Sequence, residues 1–145
     1  MLFSAFNDKY QTFVSNIHDN MRIAVESNEK PLVQINRDQL LIGTTNEGKT
    51  IEPTLRSMVY AVEKKKRGGI APAGIPDMKD TGAFQDAMIL LTDDRDYHIT
   101  STDDKTPDLT KKYKGLFGIS PDNKVKAQNI NTKKLAEMLK KATGL

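Results

Sequence analysis

The sequence predicts an α+β fold: a small, mainly antiparallel sheet with a β-hairpin, packed against N-terminal, central and C-terminal helices. Three observations carry this. Residues 84–91 form an apolar run, residues 92–96 are polar and turn-forming, and Tyr97-His98-Ile99-Thr100-Ser101 alternates apolar with polar among strand formers, which together read as a hairpin. Near the start, Phe6, Tyr10, Phe13, Val14, Ile17 and Met21 recur at three- and four-residue steps, the period of an amphipathic helix. At the other end Leu135, Met138, Leu139 and Ala142 make a second helical stripe, closed by Gly144.

In chain order, the first helix is capped by Ser4 or Asn7, with Asp8 near the positive end of its dipole, and its aromatic stripe is expected to lie against the protein's own sheet. His18 lies beside that stripe without a second ligand type at metal spacing, so it reads as a surface residue. Residues 27–31 read as a turn. Asn36 then caps a helical segment of a turn or two that Gly43 terminates, and residues 46–49 turn between short extended pieces. Glu52-Pro53 opens a central helix with Leu55, Met58, Val59 and Val62 on one face; it runs into Lys64-Lys65-Lys66-Arg67 and stops at Gly68-Gly69. A loop rich in glycine and proline follows to Pro76.

Asp80-Thr81-Gly82 reads as a turn into the hairpin. After the hairpin, Thr106-Pro107-Asp108 supplies a cap, a proline at the first helical position and an acid in the first turn, for a short helix ending near Gly115. Leu116-Phe117-Gly118-Ile119 is expected to anchor the chain to the core. Ser120-Pro121-Asp122 repeats the cap pattern for a short helix or turn, and the last helix starts with Asn131 as cap and Ile130 and Leu135 at staple spacing. Lys133, Lys134, Lys140 and Lys141 form its solvated face.

A chain of 145 residues suits one domain, 1–145, able to bury roughly two thirds of its unfolded surface. Only 37% of it is hydrophobic and tryptophan is absent, so the core is modest and the wetted surface large, as in a protein completed by neighbours in an assembly. Without cysteine there is no disulfide framework, thiol nucleophile or zinc-thiolate site. Residues 1–9 lack the pattern of a signal peptide, and no window approaches the ~18 apolar residues of a membrane span, so the expectation is a soluble protein, intracellular when made, with no membrane partner. Net charge is +3, from 22 basic and 19 acidic residues, a weaker bias than dedicated nucleic-acid binders carry.

Catalytic vocabulary is sparse. His18 and His98 are the candidate bases, and His98 sits in a strand whose neighbours suggest a face and not a pocket. Asp93, Asp94, Asp96, Asp103 and Asp104 are acidic enough to raise a metal, but the calcium-loop pattern is incomplete and both clusters fall at turns, where aspartate caps backbone amides. Residues 43–50, GTTNEGKT, match the phosphate-binding pattern G-x-x-x-x-G-K-[ST]. Pro53 follows almost at once, where a phosphate-binding loop needs a helix, so the match reads as accidental. No cofactor is expected. Lys64, Lys65, Lys66 and Arg67 are either a DNA-facing basic patch or cations placed against the negative end of a helix.

Several pieces in order resemble the small neck and tail-completion proteins that join head to tail in tailed-bacteriophage virions. They are Gln39-Leu40 with Gly43, Asn46-Glu47-Gly48-Lys49-Thr50-Ile51, Tyr60 and Lys64, Pro76-Asp77-Met78, and Asp80-Thr81-Gly82-Ala83-Phe84. Tyr97 to Thr100, Ser101-Thr102-Asp103-Asp104-Lys105, Leu109, Lys112-Tyr113 and Leu116-Phe117-Gly118-Ile119 continue the series, which covers roughly residues 39–119. Lys114 stands where similar proteins tend to have glycine directly after the tyrosine. The resemblance implies a non-enzymatic virion subunit, made in the host cytoplasm, that assembles with itself as a ring and meets portal or connector proteins and tail proteins. In such a ring, the basic residues 64–67 at a helix end would face a channel through which phage DNA passes, a nonspecific contact that is a hypothesis added to the resemblance. A nucleic-acid-binding module is the alternative, and a small P-loop NTPase the third reading.

Overall fold

The computed structural model describes residues 2–54, 62, 63, 65, 66, 71, 74–79 and 82–145. Among these the chain is α+β, with six complete helices and one two-stranded antiparallel sheet. The helices are α1 (Leu2–Ser15), α2 (Ile17–Ser27), α3 (Glu29–Leu41), α4 (Ala83–Asp86), α5 (Thr106–Lys112) and α6 (Pro121–Thr143); the strands are β1 (Met88–Thr92) and β2 (Tyr97–Ser101). Residues 62, 63, 65 and 66 are helical as well, while the central helix expected over 55–61 lies outside the described residues. At its expected start, residues 52 and 53 form a bend across a cis peptide and Thr54 is not yet helical.

The N-terminal stripe spans two helices, because the chain bends at Asn16. There the Asn16 and Asn20 side-chain amides donate to the carbonyls of Thr12 and Phe13, and the Asn16 N–H is shared between the same two carbonyls at 3.2 Å each. The expected burial of that stripe against the sheet does not occur. α1 packs on α6 and α2, and of the stripe only Phe13 is buried, while Tyr10, Val14 and Met21 stay exposed.

The turn expected at 27–31 is a single non-helical residue, Asn28, whose side chain donates to Ile130 O and Asn131 Oδ1 of α6. Pro31 falls within the first turn of α3, where no intrahelical partner is lost by its missing N–H. α3 is thus a turn or two longer than the sequence suggested, and Asn36 lies inside it instead of capping it. Its C-terminus ends as expected at Gly43, with φ of +75°. Gly43 N donates to Leu40 O at 2.9 Å and Thr44 N to Gln39 O at 2.8 Å, the paired bonds of a Schellman closure.

The hairpin forms in the register Met88↔Ser101 through Thr92↔Tyr97, with residues 93–96 as its turn. Its apolar run begins differently from expectation: Phe84 and Gln85 belong to the helical turn α4, and the strand starts only at Met88. Ladder bonds continue outward as Thr102 N to Ala87 O and Asp93 N to Asp96 O, so the backbone groups of Leu90 point away from β2. That edge is covered by α2 and α3. Glu29 Oε1 accepts the Leu90 N–H at 3.2 Å and Glu26 Oε1 accepts the Thr92 hydroxyl at 2.6 Å.

α5 occupies its expected place, one residue earlier at its start, with Lys105 as the capping residue and Pro107 in the first turn. Ser120 is the N-cap not of a short turn but of the 23-residue helix α6, so Asn131 is mid-helix and not a cap. The core joins Leu32, Val33, Ile35 and Leu40 of α3 to Ile51, Met78, Phe84, Met88, Leu90, Ile99, Tyr113, Leu116 and Ala127. Phe117 packs on Phe84 with ring centroids 5.7 Å apart.

Candidate functional site

The most highly organised polar region is a clamp of side-chain amides around residues 115–120. α3 presents Leu32, Val33, Ile35 and Leu40 to the core, and the same face carries Asn36 and Gln39, 0% and 2% exposed. Buried amides must be paired, and these are paired with a loop. Asn36 Nδ2 donates to Leu116 O at 2.9 Å while its Oδ1 accepts the Gly118 N–H at 2.8 Å. Gln39 repeats the arrangement one step along: Nε2 donates to Gly118 O and Oε1 accepts the Ser120 N–H, both at 2.9 Å. Each side chain thereby brackets one loop residue as a strand residue does in a parallel ladder. Asn123 Nδ2 adds a donor to Gln39 Oε1, tying the first turn of α6 to the same group.

From the opposite side, Asn46 Nδ2 donates to Phe117 O and the Asn46 N–H to Gly115 O, both at 2.8 Å. Gly115 has φ of +70°, and a Cβ there would come within 2.8 Å of Asn46 Oδ1, so the close approach requires glycine. The clamp needs no charge and leaves no buried side-chain polar atom unpaired among the described residues. Its chemistry is that of positioning. It fixes the connection between α5 and α6, and with it the placement of α6.

Of the predicted basic patch, Lys65 and Lys66 are helical and exposed, and Lys65 Nζ donates to Ala71 O at 2.9 Å, while Lys64 and Arg67 lie outside the described residues. Residues 43–50 do not have the geometry of a phosphate loop. The segment before them is the end of α3 and not a strand, no helix begins by Thr54, and Thr45 N bonds back to Lys49 O across a tight turn. Lys49 Nζ instead lies 3.2 Å from Glu47 Oε2. The aspartates act as turn residues. Asp93 Oδ1 accepts the amides of Arg95 and Asp96 at 2.9 and 2.8 Å, and Asp103 Oδ1 that of Lys105 at 2.9 Å. Those two amides, Arg95 first, hold the Asp93 carboxyl below the usual carboxylate range.

Two concavities flank the hairpin. A cleft of about 140 Å³ between α2 and the hairpin turn is lined by His18, Met21, Arg22, Val25 and residues 92–97. A shallower groove of about 400 Å³ runs between β2 and α6, with His98, Ile119, Lys124 and Gln128 on its walls. His18 lines the cleft and His98 the groove, and both are exposed. Tyr97, at the junction of the two, has its phenol pushed up first by burial and then by the nearby Asp96 carboxylate. Charge is distributed unevenly: α6 carries six lysines against Asp122 and Glu137, a net +4, so the remainder of this +3 chain is net −1.

No family model, curated protein or solved structure matches the chain.

Proposed function

We propose that this chain is a non-enzymatic structural subunit of a tailed-bacteriophage virion, placed at the head-to-tail joint or within the tail as a neck, connector or tail-completion subunit that assembles with itself in a ring. The observation carrying this reading is that, among the described residues, several of the separate pieces behind the resemblance form one connected unit. Gln39 and Asn46 clamp residues 115–120, Gly43 closes α3 beneath Ile75 and Pro76, and Phe84 packs on Phe117. Weak motifs scattered over residues 39–119 are thus the joints of a single scaffold, whose outward loops and N-terminal helices remain for neighbours. Portal or connector proteins and tail proteins are the expected partners, and phage DNA a nonspecific one.

The test is to identify the protein by mass spectrometry in purified particles and locate it by imaging along the axis from portal to tail. Absence from particles that contain the other structural proteins overturns the reading. Neutralising residues 64–67 tests the DNA contact separately: unchanged assembly and DNA retention would remove it.

The net +4 of α6 favours a nucleic-acid-binding module as second reading. Affinity for random DNA that falls steeply with salt, in the isolated protein, is its signature.

A further inference from the structure

The outer edge of β2 is a row of backbone hydrogen-bonding groups with a groove in front of it. Ala87 pairs with Thr102 and Asp93 with Asp96 through ladder bonds, so Tyr97, Ile99 and Ser101 turn their N–H and C=O groups away from β1. The ends of this row are served locally: Asp96 Oδ1 accepts the Tyr97 N–H at 2.7 Å and the Thr106 hydroxyl donates to Ser101 O at 3.1 Å. Between them, Tyr97 O, Ile99 N–H, Ile99 O and Ser101 N–H have no partner among the described residues. Ile99 is only 3% exposed, and backbone groups so far from water are almost always paired. β1 shows the contrast, since Glu29 takes the Leu90 N–H on its outer edge. Free edges are ordinarily blunted by a lysine, a proline or a bulge, and Tyr-His-Ile-Thr-Ser has none of these in an unbroken register.

We propose that this edge takes up an extended acidic segment of a partner protein as a third, antiparallel strand, seated in the groove between β2 and α6. The four groups select an extended backbone, because a strand presents donors and acceptors alternately at the spacing of Tyr97, Ile99 and Ser101. A partner residue opposite Ile99 exchanges both bonds with it, and the residues two places away on either side reach Tyr97 O and Ser101 N–H. Its side chain falls on the face of Ile99, where Ile119 and Ala127 pack, which suits valine or another small apolar group. The groove of about 400 Å³ lies within the ~300–1,000 Å³ of binding clefts. Charge sets the flanks. Among the described residues Lys124 is the one lysine lining the groove, on a helix of net +4, while the one acid, Asp96, is occupied with the Tyr97 amide. A second copy is the poorer occupant: its β2 lies beside its own α6, so edge-to-edge pairing brings two helices of net +4 together.

The pairing belongs to the isolated protein and does not rest on the virion reading, so either can fail alone. In the free full chain the Ile99 amide is expected to exchange its hydrogen at least about tenfold faster than those of His98 and Thr100, which bond to β1. The probe is the blocked peptide acetyl-Thr-Glu-Val-Glu-Thr-amide, followed by NMR of the isotope-labelled chain up to about 5 mM, which reaches millimolar dissociation constants. It is expected to shift the Ile99 and Ser101 amides and to slow Ile99 exchange at least about tenfold at saturation. N-methylation of its valine removes the donor for Ile99 O and is expected to weaken binding at least about tenfold. Lys124→Glu is expected to lower affinity for the acidic peptide and raise it for acetyl-Thr-Lys-Val-Lys-Thr-amide, about threefold or more each way. Overturning results are an Ile99 amide as protected in the free chain as its neighbours, no Ile99 shift by about 5 mM, equal binding of the N-methylated peptide, or a charge preference unmoved by Lys124→Glu. Ile99 shifts that appear on concentrating the protein alone would overturn it in favour of strand pairing between copies.

Discussion

Replacing Asn36 by alanine tests the amide clamp at its most buried point. Asn36 is 0% exposed, and its side chain is the partner of both Leu116 O and the Gly118 N–H. Alanine removes two hydrogen bonds and leaves a buried carbonyl and a part-buried amide without partners. Each orphaned group costs about 1–3 kcal/mol, the part-buried amide less than the carbonyl, so the loss is about 2–5 kcal/mol. That is a large fraction of the ~5–15 kcal/mol by which domains of this kind are stable, and at about 3 °C per kcal/mol it lowers Tm by about 6–15 °C. Urea unfolding followed by circular dichroism measures it as a fall in midpoint at constant slope. Gln34→Ala is the control on the same helix: its amide reaches only Asp38 Oδ1, at the surface, and the expected cost is below about 0.5 kcal/mol. Asn36→Asp keeps the acceptor for Gly118 but sets a carboxylate oxygen against the Leu116 carbonyl, so it should destabilise at least as much at neutral pH. An Asn36→Ala cost under about 1 kcal/mol would refute the view that the clamp holds the 115–120 segment in place.

Three further outcomes are expected. Gly43→Ala places a Cβ against the Ile75 Cγ2 methyl at a φ of +75° and should cost about 2–4 kcal/mol in urea unfolding. Gly48→Ala shares the positive φ but meets nothing within 4 Å, and should cost only about 1 kcal/mol; equal losses at the two sites would contradict the packing account of Gly43. Asp93 has a depressed pKa in the folded state, so its contribution is present above the ordinary carboxylate pKa of about 4 and disappears as pH falls through the lower folded value. The urea midpoint of Asp93→Ala should therefore fall less than that of the parent between neutral pH and about pH 2, and parallel acid profiles would count against the turn-amide explanation. Lys49→Ala breaks only an exposed pair with Glu47, so stability should stay within about 0.5 kcal/mol, and calorimetry should detect no Mg–nucleotide binding to either protein.

Local signals were legible wherever the chain settles its own geometry. The hairpin strand Tyr97–Ser101, the turn at 93–96, the stop at Gly43 and the start of α5 at Thr106-Pro107 all rest on period, turn chemistry or proline placement within a few residues. Helix lengths were less legible. Asn131 resembles a cap and Ser120-Pro121-Asp122 the start of a short helix or turn, yet α6 begins at the latter and runs unbroken through Asn131, because its contacts with α1, α2 and α3 outweigh local preference there. Asn36 was misplaced for a related reason: as a cap its amide would serve its own helix, whereas in the fold it serves a loop 80 residues away. Two amide residues three apart on an otherwise apolar helix face were the available sign of the clamp.

The sequence by itself determined the fold class, the hairpin, the turn roles of the aspartates and the amphipathic character of the N-terminal helices, since each depends on residues close together along the chain. Tertiary structure alone decided where long-range partners fall. It joined Asn36, Gln39 and Asn46 to residues 115–120, removed the phosphate-loop geometry from residues 43–50, and turned α1 so that α6 covers Phe13 while Phe3, Tyr10 and Val14 remain in water. The period of an amphipathic helix tells which residues share a face. Which part of that face is covered depends on the width of the surface packed against it, and here that surface is narrower than the stripe.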